Sequence, residues 1–137
     1  KLESQYVTML FALWNDENRT LQVANSGAVQ PIFCRAGQSV TVRAEGFPLG
    51  LFPNVVYEEF NLATQPGDVL VFVSDGILDA ENELEEMYDQ QQLANLLCSH
   101  RDKSAQEIAE AILADVTRFQ GSHERFDDET IIVLKVR

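Results

Sequence analysis

Two hydrophobic periods divide the chain. Up to about residue 73 the apolar positions come in short runs set apart by turn residues. Tyr6–Trp14 is rich in aromatic and β-branched residues, the polar cluster Asn15-Asp16-Glu17-Asn18-Arg19 interrupts it, and Thr20–Ala24 resumes it, which predicts a hairpin. Asn25-Ser26-Gly27 ends that run, Val29–Arg35 is the next apolar segment, and Ala36-Gly37 is a short turn. In Ser39–Ala44, Val40 and Val42 alternate with polar neighbours, the period of a strand with one buried face. Gly46, Pro48, Gly50 and Pro53 shape an apolar loop over Glu45–Pro53, after which Val55–Leu62 returns to strand. Gln65-Pro66-Gly67-Asp68 is a turn in which Pro sets φ and Gly can take a positive φ. Val69–Val73 is apolar throughout, as expected of a central strand covered on both faces.

The second half changes period. Leu93, Leu96 and Leu97 sit at helical spacing within Gln90–Ser99, with Asp89 placed to cap the N-terminus. Ser104-Ala105-Gln106-Glu107 is a capping box, and Ile108, Ala111, Ile112, Asp115 and Phe119 mark a helix of about four turns that Gly121 would stop. Thr130–Val136 reads as a closing strand. Several antiparallel strands, two helices and a last strand predict an α+β layered domain, and 137 residues with 45% hydrophobic content suit one core spanning 1–137.

Charge narrows the function. Against 10 basic residues stand 22 acidic ones, a formal net charge of −12, which repels a phosphate backbone and argues against direct DNA or RNA binding. The acids concentrate in Asp79–Asp89 and Glu124–Glu129, where they form either a solvated face or a cluster neutralised by cations. The longest apolar stretches are too short to span a bilayer, so direct membrane insertion is not expected. Lys1–Gln5 carries no leader-like apolar core and runs almost directly into a strand, which points to a piece of a longer, cytoplasmic protein. Cys34 and Cys98 lie in apolar contexts with no metal-ligand spacing, and neither His100 nor His123 has a cysteine partner. Two buried free thiols in a reducing compartment are the expectation.

Two local features carry candidate chemistry. In Val71-Phe72-Val73-Ser74-Asp75-Gly76 a buried strand ends in a small polar residue, an aspartate, and a glycine that lets the chain turn at once. Asp127-Asp128-Glu129-Thr130 puts three consecutive acids before the last strand, where they repel one another unless solvent or a cation intervenes. Each alone is more often a simple turn or a solvated loop. If the two strands are neighbours, Asp75 and Asp127 converge on one end of the sheet, and oxygen ligands without His or Cys suit Mg²⁺ or Mn²⁺.

Taken in series, Gly46-Phe47-Pro48-Leu49-Gly50-Leu51, Gln65-Pro66-Gly67-Asp68, Val73-Ser74-Asp75-Gly76-Ile77-Leu78-Asp79-Ala80 and Asp127-Asp128-Glu129-Thr130 resemble the PPM-type metal-dependent phosphatases, in their SpoIIE/RsbU-like bacterial branch. The order and spacing agree from about Tyr6 to the C-terminus, so 1–137 is read as the C-terminal portion of one such domain. The resemblance implies an α-β-β-α sandwich of antiparallel sheets flanked by helices, N-terminally truncated, with a binuclear Mg²⁺/Mn²⁺ centre. It implies that Asp75 and Asp127 bind metal and that a metal-activated water attacks a phosphoserine or phosphothreonine without a phosphoenzyme. Asp128 would orient Asp127 or a water, while Ser74 and Gly76 would shape the turn. Asp79 is a weaker candidate, read more readily as a helix cap or solvated residue. The implied substrate is a phosphorylated signalling protein, such as a STAS-type anti-sigma-factor antagonist.

Two departures qualify that picture. The family's earlier Gly-Asp-x-x-Gly-His-Gly segment, whose aspartate bridges both metals, has no counterpart here, so this chain alone is expected to bind metal weakly and hydrolyse little. Where relatives carry Asn-Ala-Gly-His, this chain has Asn25-Ser26-Gly27-Ala28. A non-catalytic interaction domain on the same fold is the alternative. Missing strands would uncover apolar faces, on which ground a homodimer is expected.

Overall fold

A computed structural model describes residues 5–125 and 127–137; the Lys1–Ser4 stretch, read above for a leader, lies outside the described residues. The elements run β1 (Met9–Asn15), β2 (Thr20–Ser26), β3 (Ile32–Arg35), β4 (Gln38–Thr41), β5 (Glu59–Ala63), β6 (Val69–Val73), α1 (Asp75–Leu78), α2 (Gln90–Ser99), α3 (Ala105–Gln120) and β7 (Ile131–Lys135). Two compact units share the chain: Lys1–Gln30 with Val42–Gln65, and Pro31–Thr41 with Pro66–Arg137.

The first unit holds a three-stranded antiparallel sheet in the order β1-β2-β5. Its hairpin turn is held by Asn15, whose side-chain oxygen accepts from the amides of Glu17 and Asn18 at 3.0 and 3.3 Å. Alternation along β2 buries Leu21 and Val23 on one face. On the opposite face of the edge strand β1, Met9, Phe11 and Leu13 are 48, 58 and 51% exposed, an apolar stripe of the kind the sequence led us to expect. Two sequence motifs meet in this unit. Asn25, almost fully buried, donates to the carbonyls of Ala28 and Ala44 at 2.9 and 2.8 Å and accepts from the Ala28 amide. A Cβ on Gly46 would fall 2.0 Å from the Asn25 carbonyl oxygen, so the Gly46–Gly50 loop can close on this turn only with glycine there.

The second unit holds a four-stranded antiparallel sheet in the order β4-β3-β6-β7. β6 is interior, and Val69, Leu70 and Val71 are wholly buried. Pro31, with no N–H to donate, delays β3 to Ile32. Leu93 and Leu97 from α2 and Ile108, Ile112 and Val116 from α3 share one apolar core with sheet residues such as Ile32 and Val71. Both helix starts are capped as the sequence predicts. Asp89 accepts from the Gln92 amide at 2.8 Å, and Ser104 and Glu107 complete the reciprocal box. Hydrogen bonds from the Ser104 amide and hydroxyl hold the Glu107 carboxyl below its usual range. Gly121, at φ 59°, ends α3.

One expectation is corrected. Cys34 and Cys98 are not free thiols but a disulfide, with Cα atoms 5.6 Å apart. Their burial was legible, at 1 and 8% exposure, but their contact was not. The last turn of α2 packs over β3, and a separation of 64 residues hides that from any local pattern.

Asp68, only 2% exposed, is paired with Arg35, whose Nη2 lies 2.6 Å and Nε 3.1 Å from its oxygens. Removing one partner leaves a buried carboxylate, so Arg35→Met is expected to lower stability by about 2–4 kcal/mol in urea denaturation. Ser104→Ala, which removes a cap, should cost about 1 kcal/mol.

Candidate functional site

The site begins with strand pairing. β6 and β7 are antiparallel neighbours, with Val73 opposite Ile131, so the chain leaves β6 at the same end where it enters β7. Ser74 fastens the two exits together. Its amide donates to the Thr130 carbonyl at 3.0 Å, its hydroxyl donates to the Asp128 carbonyl at 3.0 Å, and the same oxygen accepts from the Thr130 amide at 2.9 Å. The Asp127-Asp128 segment is thereby held against Ser74-Asp75.

Gly76 sets how close they come. A Cβ there would lie 2.2 Å from the Asp128 carbonyl oxygen, well inside any tolerable contact. The expectation that this glycine serves a sharp turn is therefore replaced by a steric reason: Gly76 is buried within the helical turn α1 and has no positive φ. Asp75 opens that turn, a short element the sequence did not reveal.

Each candidate carboxylate is anchored by the following backbone amide. Asp75 Oδ1 accepts from the Gly76 amide at 3.0 Å, and Asp127 Oδ1 accepts from the Asp128 amide at 2.7 Å. Both aspartates are exposed. The contact between Asp128 and Asp127 is made by the Asp128 main-chain amide. Glu129, the third acid of the run, points elsewhere: its side chain is 5% exposed, lies 3.6 Å from Arg125 Nη1, and has no hydrogen bond.

A small cleft of about 30 Å³, room for one water-sized group, is lined by Gly76, Asp79, Ala80, Glu81, Gln120, Glu124 and Asp127. Asp79 therefore belongs beside Asp127. Gln120 and Glu124 were not foreseen, because nothing in the sequence places the end of α3 against the end of β6. Several other acids of the Asp79–Asp89 stretch have structural partners. Asn82 accepts from the Leu84 and Glu86 amides and donates to Glu86, and Ser122 donates to Glu83, holding that carboxyl below its usual range. Tyr88, fully buried, donates to Asp115 at 2.9 Å, and burial pushes its phenol well up.

The donor set bears on metal binding. Two exposed carboxylates have the hard-oxygen character that Mg²⁺ and Mn²⁺ favour. Among the described residues no group of three or more His, Cys, Asp or Glu is arranged to hold an ion.

Comparison with known proteins shows what the arrangement is similar to. The family model of stage II sporulation protein E (SpoIIE) matches residues 1–137. The phosphoserine phosphatase RsbU of Bacillus subtilis is 28% identical over 135 residues, covering 96% of this chain and 39% of that protein. Protein IcfG of Synechocystis is 24% identical over 133 residues, covering 96% of this chain and 21% of that protein. The SiaA-PP2C domain of Pseudomonas aeruginosa superposes with a TM-score of 0.82 at 21% identity, over 93% of this chain and 51% of that one. The phosphatase domain of SpoIIE from Bacillus subtilis gives 0.75 at 20% identity, over 94 and 56%. The chain thus spans well under half of these curated relatives and about half of the solved structures. The structural likenesses show the fold, an α+β sandwich of antiparallel sheets flanked by helices, as the motif series implies.

The Gly76 contact and the Ser74 bonds can be probed directly. Gly76→Ala is expected to displace the Asp127-Asp128 backbone and cost about 1–3 kcal/mol in urea denaturation. Ser74→Ala should cost about 1–2 kcal/mol, and unchanged midpoints in both would mean that the two exits do not lie together.

Proposed function

Because the chain belongs to the stage II sporulation protein E (SpoIIE) family, in the SpoIIE/RsbU branch of PPM-type phosphatase domains, we propose that it is the C-terminal portion of a metal-dependent phosphoserine/phosphothreonine protein phosphatase domain of bacterial signalling. The observation that supports this reading is the Ser74-centred hydrogen bonding that joins the segments carrying Asp75 and Asp127 at one end of β6 and β7.

In this reading Asp75 and Asp127 offer oxygen ligands to Mn²⁺ or Mg²⁺, while their other oxygens stay anchored by the Gly76 and Asp128 amides. The metal, when bound, lowers the pKa of a water nucleophile and screens the phosphoryl oxygens. Ser74 and Gly76 hold the two backbone segments that carry these aspartates against each other, which would limit the reorganisation needed on binding. Neither cysteine serves as a nucleophile, and both are sequestered in the disulfide. The proposed substrate is a phosphorylated protein, with a STAS-type anti-sigma-factor antagonist as the candidate class, in the cytoplasm. Among the described residues no helix is long and apolar enough to cross a membrane. A second copy seated on the Met9, Phe11 and Leu13 stripe belongs to the same reading and is checked by sedimentation.

A non-catalytic interaction domain is the second reading, favoured by Ala28 standing where the family carries histidine. Titration calorimetry with Mn²⁺ separates the two. Binding that weakens at least tenfold in Asp75→Asn and in Asp127→Asn is expected of a phosphatase site. Binding indifferent to both substitutions would remove these aspartates from any metal centre. In the full-length protein, the same substitutions should lower Mn²⁺-dependent release of phosphate from a phosphoserine protein by about 100-fold or more.

A further inference from the structure

The two cysteines play no part in the proposed chemistry, yet they are the chain's only two and the fold brings them together. Cys34 lies within β3, an interior strand, and is 1% exposed. Cys98 lies in the last turn of α2 and is 8% exposed. Their Cα separation of 5.6 Å lies within the usual range for a disulfide. The bond is the one covalent tie between the sheet of the second unit and its helices, and it closes a ring across a separation of 64 residues.

We infer that Cys34 and Cys98 form a reversible thiol–disulfide site, taking a low-molecular-weight disulfide as oxidant and a low-molecular-weight thiol as reductant, that sets the stability of the second unit without altering the Asp75 end of the sheet. Access favours Cys98. It is the more exposed of the two and sits where α2 ends at His100, so fraying one helical turn bares it, whereas Cys34 is reached only by opening the sheet. Arg101 Nη1 donates to the Cys98 carbonyl at 3.1 Å, tying the segment that follows α2 to the turn that carries Cys98.

The exchange balances in two steps. The Cys98 thiolate attacks one sulfur of the small disulfide and releases one small thiolate, leaving a mixed disulfide. The Cys34 thiolate then attacks the Cys98 sulfur, forms the protein disulfide and releases the second small thiolate. Two electrons pass from the cysteines to the oxidant, and the two protein protons end on the released thiols. Reduction is the reverse.

The position of the bond explains why it would act on stability. Cys34 is paired with Val69, the first residue of β6, while Asp75 follows Val73 at the other end. Roughly 13 Å of strand separates Val69 from Val73, and the Ser74 bonds hold the site end independently. Closing a long ring restricts the unfolded chain, so the oxidised protein should resist heat better. The exchange and its effect on melting assume nothing about catalysis; only the Mn²⁺ comparison below rests on the phosphatase reading.

The test uses the whole chain incubated with glutathione disulfide or with dithiothreitol, then alkylated in denaturant and weighed by mass spectrometry. No alkylated cysteine after the first treatment and two after the second are expected, with the oxidised form melting at least about 5 °C higher. Cys34→Ala and Cys98→Ala should each melt alike under the two treatments, while Mn²⁺ affinity of the unsubstituted chain stays within twofold. Two alkylated cysteines after oxidation would overturn the inference. So would a bond that survives dithiothreitol in the folded protein, equal melting of the two forms, or a redox-dependent change in Mn²⁺ affinity.

Discussion

The pairing of β6 with β7 is the constraint from which the rest of the site follows. Antiparallel register puts Val73 opposite Ile131, and only then can one serine side chain reach both Asp128 and Thr130. Each of those hydrogen bonds is worth about 1 kcal/mol net, so together they align the segments without dominating the stability. Sterics are less forgiving. With 2.2 Å between a notional Gly76 Cβ and the Asp128 carbonyl, no residue but glycine fits without moving backbone. The order Ser-Asp-Gly thus combines a fastener, a candidate ligand and a clearance in three adjacent positions.

Much of this was legible in the sequence, and the reasons are local. The wholly apolar Val69–Val73 run and the capping box at Ser104 are each decided by nearest neighbours, and each stands where the pattern put it. The strand read over Ser39–Ala44 is instead β4 at Gln38–Thr41, with Val40 44% exposed and Val42 beyond its end. Boundaries drifted where tertiary pairing decides them: β1 starts at Met9 instead of Tyr6, and β5 at Glu59 instead of Val55. Contacts distant in sequence were invisible. The disulfide, the approach of Gln120 and Glu124 to Asp127, and the packing of the Gly46 loop on Asn25 all depend on how elements fold back on one another. Asp75 and Asp127 could be paired beforehand only through the motif series, because no single motif carried enough information.

The acidic character has a similar resolution. A surplus of carboxylates could have been a featureless solvated surface, but several have defined structural work: Asp68 on Arg35, Asp115 on Tyr88, Asp89 and Glu107 at helix starts, Glu83 on Ser122. What distinguishes Asp75 and Asp127 is that each carboxylate accepts from the amide that follows it and, among the described residues, from no side chain. A carboxylate oriented by its own backbone and open to solvent is prepared for a ligand in a way that a capping or ion-paired carboxylate is not.

The chain visits its two units alternately, contributing Lys1–Gln30 to the first, Pro31–Thr41 to the second, Val42–Gln65 to the first again, and Pro66–Arg137 to the second. Neither unit is continuous in sequence, so neither can be completed from the first stretch of chain to emerge during synthesis. β3 must wait for β6, about thirty-five residues later, and β6 must wait for β7, some sixty residues beyond that. Nascent chains therefore carry the apolar strand Val69–Val73 with its β7-facing edge unpaired for most of the time the second unit is being made. Asp127 arrives with the final partner strand, so any encounter with a ligand is deferred until the exposed hydrophobic edge has been covered.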